Sequence, residues 1–588
     1  MFKLLKNFPK KDIFFVLLVI ALICFQVFLD LKLPDYMSEI TQLVNTENPE
    51  VSEILFAGSK MLLCALGSMG AAMIVGYLVA NISASFSMRL RKKLFSKVEN
   101  LSMAEINKFS IASLITRTTN DITQVQMLIV MGLQMMIKAP ITAVWAIVKI
   151  LDKSWEWSAV TGAAVVILLA LVVTLMAIVI PKFKIIQKLT DKLNLVVREN
   201  LTGIRVVRAF NAEKYQERKF EKANNNLTNT QIFSQKALSI FSPIMFFIMQ
   251  MVTVVIYFVG AYLIDGAGDQ QEKLLLFSNM IVFSSYAMQV IMSFLMLAIV
   301  FMMVPRAQVS ADRINEVLDT KISLKEGERN VVATTETGTV EFKNVSFKYP
   351  NAQEAIINDI SFKAEKGQTV AFIGSTGSGK STLVNLIPRF YDVTLGEVLV
   401  DGINVKEYTF ESLYNKLGYV SQKAILFGGT VKSNVSFGSN GKGAKTEKIV
   451  KEAVKVAQGT EFVEKMDKKY DGHIAQGGTN LSGGQKQRLS IARAIAREPE
   501  IYIFDDSFSA LDYKTDANLR RELKKYTKDA TILIVAQRIG TIMNADQIIV
   551  LDKGKCVGKG THKELLKNCP VYKEIAESQL AKSELEGK

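Results

Sequence analysis

Six apolar runs in the first half of the chain constrain its fold more than any other feature. They lie near Ile13–Leu31, Leu55–Phe86, Val125–Ile150, Ser158–Ile180, Ala237–Ile264 and Leu274–Val304, and no run of that kind recurs beyond Pro305. About 20 apolar residues in a helix cross the roughly 30 Å hydrocarbon layer. The runs therefore predict six membrane-spanning helices, several long enough to project into water. The first run follows Lys3, Lys6, Lys10 and Lys11 as in a secretory leader, but its apolar stretch is too long and no small-residue cleavage site closes it. It reads as a retained span. Across 588 residues, 49% hydrophobic and 22% charged composition fits neither a wholly soluble nor a wholly embedded chain. Two parts in different solvents are expected.

Lys and Arg crowd alternate connections: 4 before the first run, 7 over Arg89–Arg117 and 12 over Lys182–Lys236, against only Lys32, Lys153 and Lys273 in the other three. Cytoplasmic connections carry that excess, so both termini are placed inside. The acidic residues Asp35, Glu39, Glu47, Glu50, Glu53, Asp265, Asp269 and Glu272 decorate the opposite side. Membrane topology thus accounts for the net charge of +15, and no nucleic-acid partner is expected. Both long cytoplasmic connections read as helical extensions, with Ala104–Ser110 and Gly203–Ala212 as the tips farthest from the membrane, suited to pressing on a cytoplasmic domain. The basic rim at Arg89, Arg91 and Lys92 could meet lipid headgroups, although topology already explains it.

Lys138 stands near the middle of the third run, two residues before Pro140, where a charge is costly unless it faces water or a partner. It is expected to face a cavity. Gln134, Gln250, Asn279 and Gln289 add polar groups, and Met245, Phe246, Phe247, Met249, Met288, Met292, Phe294 and Met296 add soft surface, a set that suits a cavity for a bulky amphipathic small-molecule substrate. The four cysteines, Cys24, Cys64, Cys556 and Cys569, have no zinc spacing and read as reduced thiols.

After Leu318 the sequence becomes charged and turn-rich. Residues 1–318 read as the membrane domain, 319–338 as a linker and 339–588 as a soluble domain that begins with the strand pattern at Thr339. Its decisive segment runs Gly374, Ser375, Thr376, Gly377, Ser378, Gly379, Lys380, Ser381, Thr382, the full G-x-x-x-x-G-K-[ST] pattern. An apolar strand, Thr369–Ile373, precedes it and a helix begins at Thr382, so backbone N–H groups converge on phosphate. Lys380 is expected on the β- and γ-phosphates of ATP and Ser381 on Mg²⁺. A second strand, Ile501–Phe504, ends in Asp505 and Asp506, and Asp505 is placed to hold the metal. Between them, Leu481, Ser482, Gly483, Gly484 and Gln485 open the basic helix Lys486–Arg497, a second anion site.

With these motifs in place, nearly the whole chain resembles the half-transporters of the ATP-binding-cassette (ABC) exporter family: a membrane all-α domain of six helices with long cytoplasmic extensions, fused to a soluble α/β P-loop nucleotide-binding domain. The resemblance rests on the phosphate loop, the LSGGQ signature, Asp505, Tyr349 as the aromatic that stacks on adenine, Gln422 in YVSQ, the SALD turn Ser509–Asp512 and the segment Ile534–Arg538. It implies ATP and Mg²⁺ as cofactors, with Ser381, Gln422 and Asp505 around the metal. It also implies a second half-transporter as partner, so that each ATP lies between one phosphate loop and the other subunit's Ser482–Gln485 equivalent. GIRVVRAF resembles the family's second coupling helix, which inserts into the partner's nucleotide domain.

Three positions depart from the family pattern. Active members carry Glu, which polarises the attacking water, where this chain has Asp506, and His, which contacts the γ-phosphate, where it has Gln537. A third departure is Gln476, where exporters often carry Glu. The first two alter one chemical step and resemble the degenerate subunit of heterodimeric bacterial multidrug exporters, in which one site hydrolyses ATP and the other mainly holds it. The rival readings are a slow homodimeric exporter of drugs or flippase of lipid, and an ATP-gated channel or regulator.

Overall fold

The structure is a computed structural model that describes residues 2–5, 9–44, 50–151, 155–330, 337–350, 352–438 and 445–580. Lys6, Glu47 and Lys153, counted above for topology, and positions 331–336 of the expected linker lie outside these residues. The chain forms two compact units: Met1–Glu99 with Ser110–Thr320, and Asn100–Phe109 with Lys321–Lys588.

The first unit contains six helices long and apolar enough to cross a membrane: Lys10–Val44, Val51–Glu99, Ile111–Leu151, Trp155–Thr202, Glu213–Gly266 and Gln270–Asp319. Helices of 48 to 54 residues reach roughly 70–80 Å at 1.5 Å per residue, well beyond the hydrocarbon layer. The expected extensions are therefore continuous with the spans. The third helix is not uniform, since π-turns occupy Arg117–Asp121 and Gly132–Met136. Pro140 lacks the N–H that would bond the carbonyl of Met136, and the ladder widens just before it. Periodicity carries no sign of such a turn.

The helices close on a core that includes Val19, Ile23, Trp157, Phe283, Tyr286 and Val290. Several polar groups inside this bundle are paired, although Trp157 Nε1 and the hydroxyls of Ser87 and Thr142 are buried without a hydrogen-bond partner among the described residues. Lys138 Nζ lies 3.1 Å from Asp30 Oδ2 on the first helix, and Ser68 of the second helix donates to Asp30 Oδ1. Lys138 is thus held by a partner, where open cavity was expected. Nearer the C-terminal end of the first helix, Asp35 accepts from Lys149 at 3.0 Å and from the Tyr286 hydroxyl at 2.6 Å. Asp35, read as surface decoration, is an internal tie among three helices.

The second unit is α/β. A mixed six-stranded sheet runs in the order β12-β11-β3-β10-β9-β6, with β3 Thr369–Gly374, β6 Leu417–Val420, β9 Ile501–Asp505, β10 Thr531–Val535, β11 Gln547–Asp552 and β12 Lys555–Gly560. All its pairings are parallel except β11 with β12. β9 and β10 are buried at every residue, as sheets covered on both faces require. A second sheet, antiparallel, runs β2-β1-β4-β5, built on β1 Val340–Phe347, β2 Ile357–Ala364, β4 Leu395–Val400 and β5 Ile403–Asn404, and the short strands β7 Gly429–Thr430 and β8 His473–Ile474 pair with each other. One apolar cluster, around Phe342, Phe362 and Phe372, packs between the sheets; a second, around Leu489, Ile495 and Phe504, packs on the other face. In register, Val535 pairs with Phe372 on one side and with Asp505 on the other. The carboxyl ends of β3, β10 and β9 therefore finish side by side, the edge at which open α/β sheets bind ligands.

Candidate functional site

At that edge β3 ends in Gly374, and the chain turns through 375–379 into the helix Lys380–Asn385. Gly379 has φ 95°, and a Cβ there would meet Ile357 Cδ1 at 2.7 Å and the Ile356 carbonyl oxygen at 3.1 Å. Neither the dihedral nor the space admits a side chain. Lys380 is buried, and its Nζ donates to the carbonyls of Gly374 and Ser375 at 2.9 and 2.8 Å. Burial lowers its pKa, while the carboxylates of Asp506 and Asp505 pull in the opposite direction. Ser381 Oγ donates to Asp505 Oδ1 at 2.7 Å. Hydroxyl and carboxylate together form a hard oxygen pair of the kind that suits Mg²⁺.

Asp505 and Asp506 are both buried, and burial raises the pKa of each above the ordinary carboxylate value. Asp506 sits at φ 47°, a left-handed conformation that Asp tolerates better than most residues. Its Oδ2 accepts from Gln537 Nε2 at 2.7 Å and from Gln422 Nε2 at 3.3 Å. Gln537 is itself braced, because its carbonyl accepts from Gln579 Nε2 at 2.8 Å, on the helix Pro570–Gln579. Tyr349 shares a hydrogen bond with Thr382 Oγ1 at 3.1 Å, which ties its ring to the end of the phosphate loop.

The structure thus gathers the phosphate loop, Tyr349, Gln422, Asp505, Asp506 and Gln537 at one edge. It does not bring Ser482, Gly483, Gly484 and Gln485 to them: among the described residues no hydrogen bond joins that turn to the phosphate loop. Ser482 caps the helix Gly483–Ile495 in a reciprocal box, with Ser482 N donating to Gln485 Oε1 at 2.9 Å and Gln485 N donating to Ser482 Oγ at 3.4 Å. Ser482 and Gly483 are exposed, and Gln476 is exposed as well.

Two residues escaped the sequence reading. Tyr391 stands edge-on to Tyr349, with centroids 5.1 Å apart at 89°, and its hydroxyl accepts from Asn107 Nδ2 at 3.0 Å. Asn107 belongs to the short helix Met103–Lys108 within the first expected coupling tip, which folds with the second unit. There Glu105 accepts from the backbone N–H groups of Ser102 and Ser323 at 2.8 and 3.3 Å. Burial pushes the Glu105 carboxyl up, but these bonds outweigh it and hold it below its ordinary value. No local pattern marks Asn107 or Tyr391, since 284 positions separate them. The second tip forms the helix Ile204–Ala209 and leaves Val206 60% and Phe210 78% exposed.

In the membrane unit the expected cavity set divides. Gln250, Met288, Gln289 and Met292 line one cavity of about 470 Å³ together with Thr253 and Ser284. Met245 is packed in the helix core, and Phe246 and Phe247 face outward.

Residues 16–294 match the family model of the ABC transporter transmembrane region, and residues 357–509 match the ABC transporter model. An uncharacterized ABC transporter ATP-binding protein of Mycobacterium tuberculosis is 40% identical over 522 residues, 88% of this chain and 87% of that protein. An ATP-dependent lipid A-core flippase of Pseudomonas aeruginosa is 31% identical over 490 residues, 83% of this chain and 79% of the flippase. Among solved structures, a bacterial Atm1-family ABC exporter with ATP bound superposes with a TM-score of 0.80 over 98% of this chain and 99% of that one, at 23% identity. The chain belongs to the ABC transporters: it is a multi-pass membrane protein with the exporter fold, a half-transporter that binds ATP and couples its hydrolysis to transport.

Proposed function

We propose that the chain is the catalytically weaker half of a two-subunit exporter that moves amphipathic compounds out of the cytoplasm, with both termini inside. The observation that carries this reading is the bond between Gln537 Nε2 and Asp506 Oδ2 at 2.7 Å. Asp506 ends one methylene short of a Glu, and a neutral amide occupies one of its carboxylate oxygens. A general base must come within roughly 2.6–3.2 Å of the proton it takes, and misplacement by about 1 Å costs on the order of a hundredfold. Gln537 adds a hydrogen bond but neither titrates nor carries positive charge.

In this reading Lys380 and the loop Gly374–Thr382 grip the phosphates of ATP, Tyr349 stacks on adenine, and Ser381, Asp505 and Gln422 hold Mg²⁺. The bound metal neutralises phosphate charge. Ser482, Gly483, Gly484 and Gln485, which stay apart from this site, complete the faster site on the partner's ATP. Closure of the two nucleotide domains turns the cavity outward, and the exposed Val206 and Phe210 of the second tip are the apolar contact offered to the partner subunit. Likeness to a lipid A-core flippase favours, as a second reading, cargo drawn from the membrane lipid itself.

The test is ATP turnover of the purified pair. Ser482→Ala is expected to abolish it and Asp506→Asn to leave most of it; equal losses would contradict the asymmetry.

A further inference from the structure

A cavity of about 860 Å³ opens among the fourth, fifth and sixth spans of the membrane unit. Its lining changes character along the helices. On the fourth span Val172, Leu175 and Val179 lie inside the apolar run, and Asp191 lies beyond its end. The sixth span contributes Ala298 from its run, then Arg306 and Arg313 after Pro305. The fifth contributes Gln231 and Gln235, just before its run begins. The fifth helix runs opposite to the fourth and sixth, so all these polar positions fall on the Lys/Arg-rich side of the bilayer while the apolar ones reach into it. The cavity has an apolar slot at hydrocarbon depth and a polar mouth at the boundary.

The charge at that mouth is uneven. Arg306 lies 5.0 Å above the Phe183 ring and has no carboxylate partner among the described residues. Arg313 Nη1 is 4.0 Å from Asp121 Oδ2, the outer limit of an ion pair, and its side chain is 54% exposed. Among the described residues of the lining, Asp191 is the one carboxylate, against two guanidiniums. Each guanidinium offers a planar donor fork that matches a phosphate, sulfate or carboxylate. A cationic head would meet two like charges at the edge of a low-dielectric region. The volume falls within the roughly 300–1,000 Å³ that holds one small ligand.

We propose that this cavity binds a small anionic amphiphile, its apolar body against the fourth and sixth spans and its acid group between Arg306 and Arg313. That this molecule is cargo rests on the exporter reading above; the binding does not.

The experiment uses the full chain, purified with whatever subunit accompanies it, and three probes with long apolar tails: oleoyl lysophosphatidic acid, monooleoylglycerol and hexadecyltrimethylammonium. Affinities are measured by native mass spectrometry. The anion is expected to bind about tenfold tighter than the neutral probe, the scale of a charge-assisted hydrogen bond or two. Arg306→Gln with Arg313→Gln is expected to reduce that preference to about twofold, with affinity for monooleoylglycerol and for ATP unchanged. Arg306→Lys with Arg313→Lys is expected to keep most of the preference. Equal binding of anion and neutral probe, tightest binding of the cation, or a preference that survives the double Gln substitution would overturn the proposal. If the preference tracks both arginines and ATP drives no movement of the anion in proteoliposomes, the site stands and the exporter reading of it fails.

Discussion

Gln537 Nε2 donates to Asp506 Oδ2 at 2.7 Å, so the two residues that carry the proposed asymmetry are hydrogen-bonded to each other. On the proposed reading the bond makes the two departures one unit, because the amide at 537 holds the carboxylate at 506. Restoring one without the other leaves the constellation incomplete. Asp506→Glu with Gln537→His is expected to raise the hydrolytic rate of this chain's own site by about two orders of magnitude, the lower end of what a positioned general base contributes. Each single change is expected to do much less. Single-turnover hydrolysis with the partner's site disabled is the measurement.

Burial raises the pKa of Asp506 in the folded chain. For an acid of that kind the contribution to stability is complete below the unfolded pKa, near 3.9, and is lost as pH rises through the folded value. At neutral pH the buried charge is therefore a cost. Asp506→Asn keeps an oxygen for Gln537 and a residue at ease with φ 47°. It is expected to raise the melting temperature of the nucleotide-free protein at pH 7, with the gain shrinking toward pH 4. A fall at pH 7 would mean that the carboxylate is a net stabiliser.

Tyr391 touches both the aromatic expected at adenine and the first coupling tip, through its ring and its hydroxyl respectively. Tyr391→Phe keeps the ring and removes the acceptor for Asn107, a loss of about 1 kcal/mol. ATP affinity is expected to stay within about twofold, well inside that energy, while stimulation of ATP turnover by transported compound falls. Asn107→Ala is expected to match it.

Lys138 and Asp30 neutralise each other within the spans, 3.1 Å apart. Both side chains are partly buried, so removing one partner leaves an unpaired charge within the spans and costs more than removing both. Lys138→Gln is expected to lower the melting temperature, and Asp30→Asn combined with Lys138→Gln to recover most of the loss. A double-mutant cycle in detergent measures the coupling.

The parts of the fold legible in the sequence are those with local signals. Six apolar runs announce six helices, and the contiguous loop Gly374–Thr382 with a strand before it announces the nucleotide site. Facing was not legible in the spans: a run that is apolar on all sides does not say that Met245 packs inward while Phe246 turns out. Pairings across sequence were also hidden, since Asp30 and Lys138 are 108 positions apart and Asn107 and Tyr391 are 284 apart. The motif at Ser482–Gln485 was legible as chemistry, yet its separation from the phosphate loop in one chain is a matter of tertiary arrangement. Arg306 and Arg313 were counted neither for topology nor for cargo, although they follow the sixth run directly.

The central claim is that this chain works as the weaker half of an unlike pair. The most direct measurement is to purify the tagged chain at native expression level and determine, with stoichiometry, what accompanies it. The account requires a one-to-one complex with a second half-transporter that carries Glu and His at the positions of Asp506 and Gln537. Recovery of the chain with itself alone would contradict it.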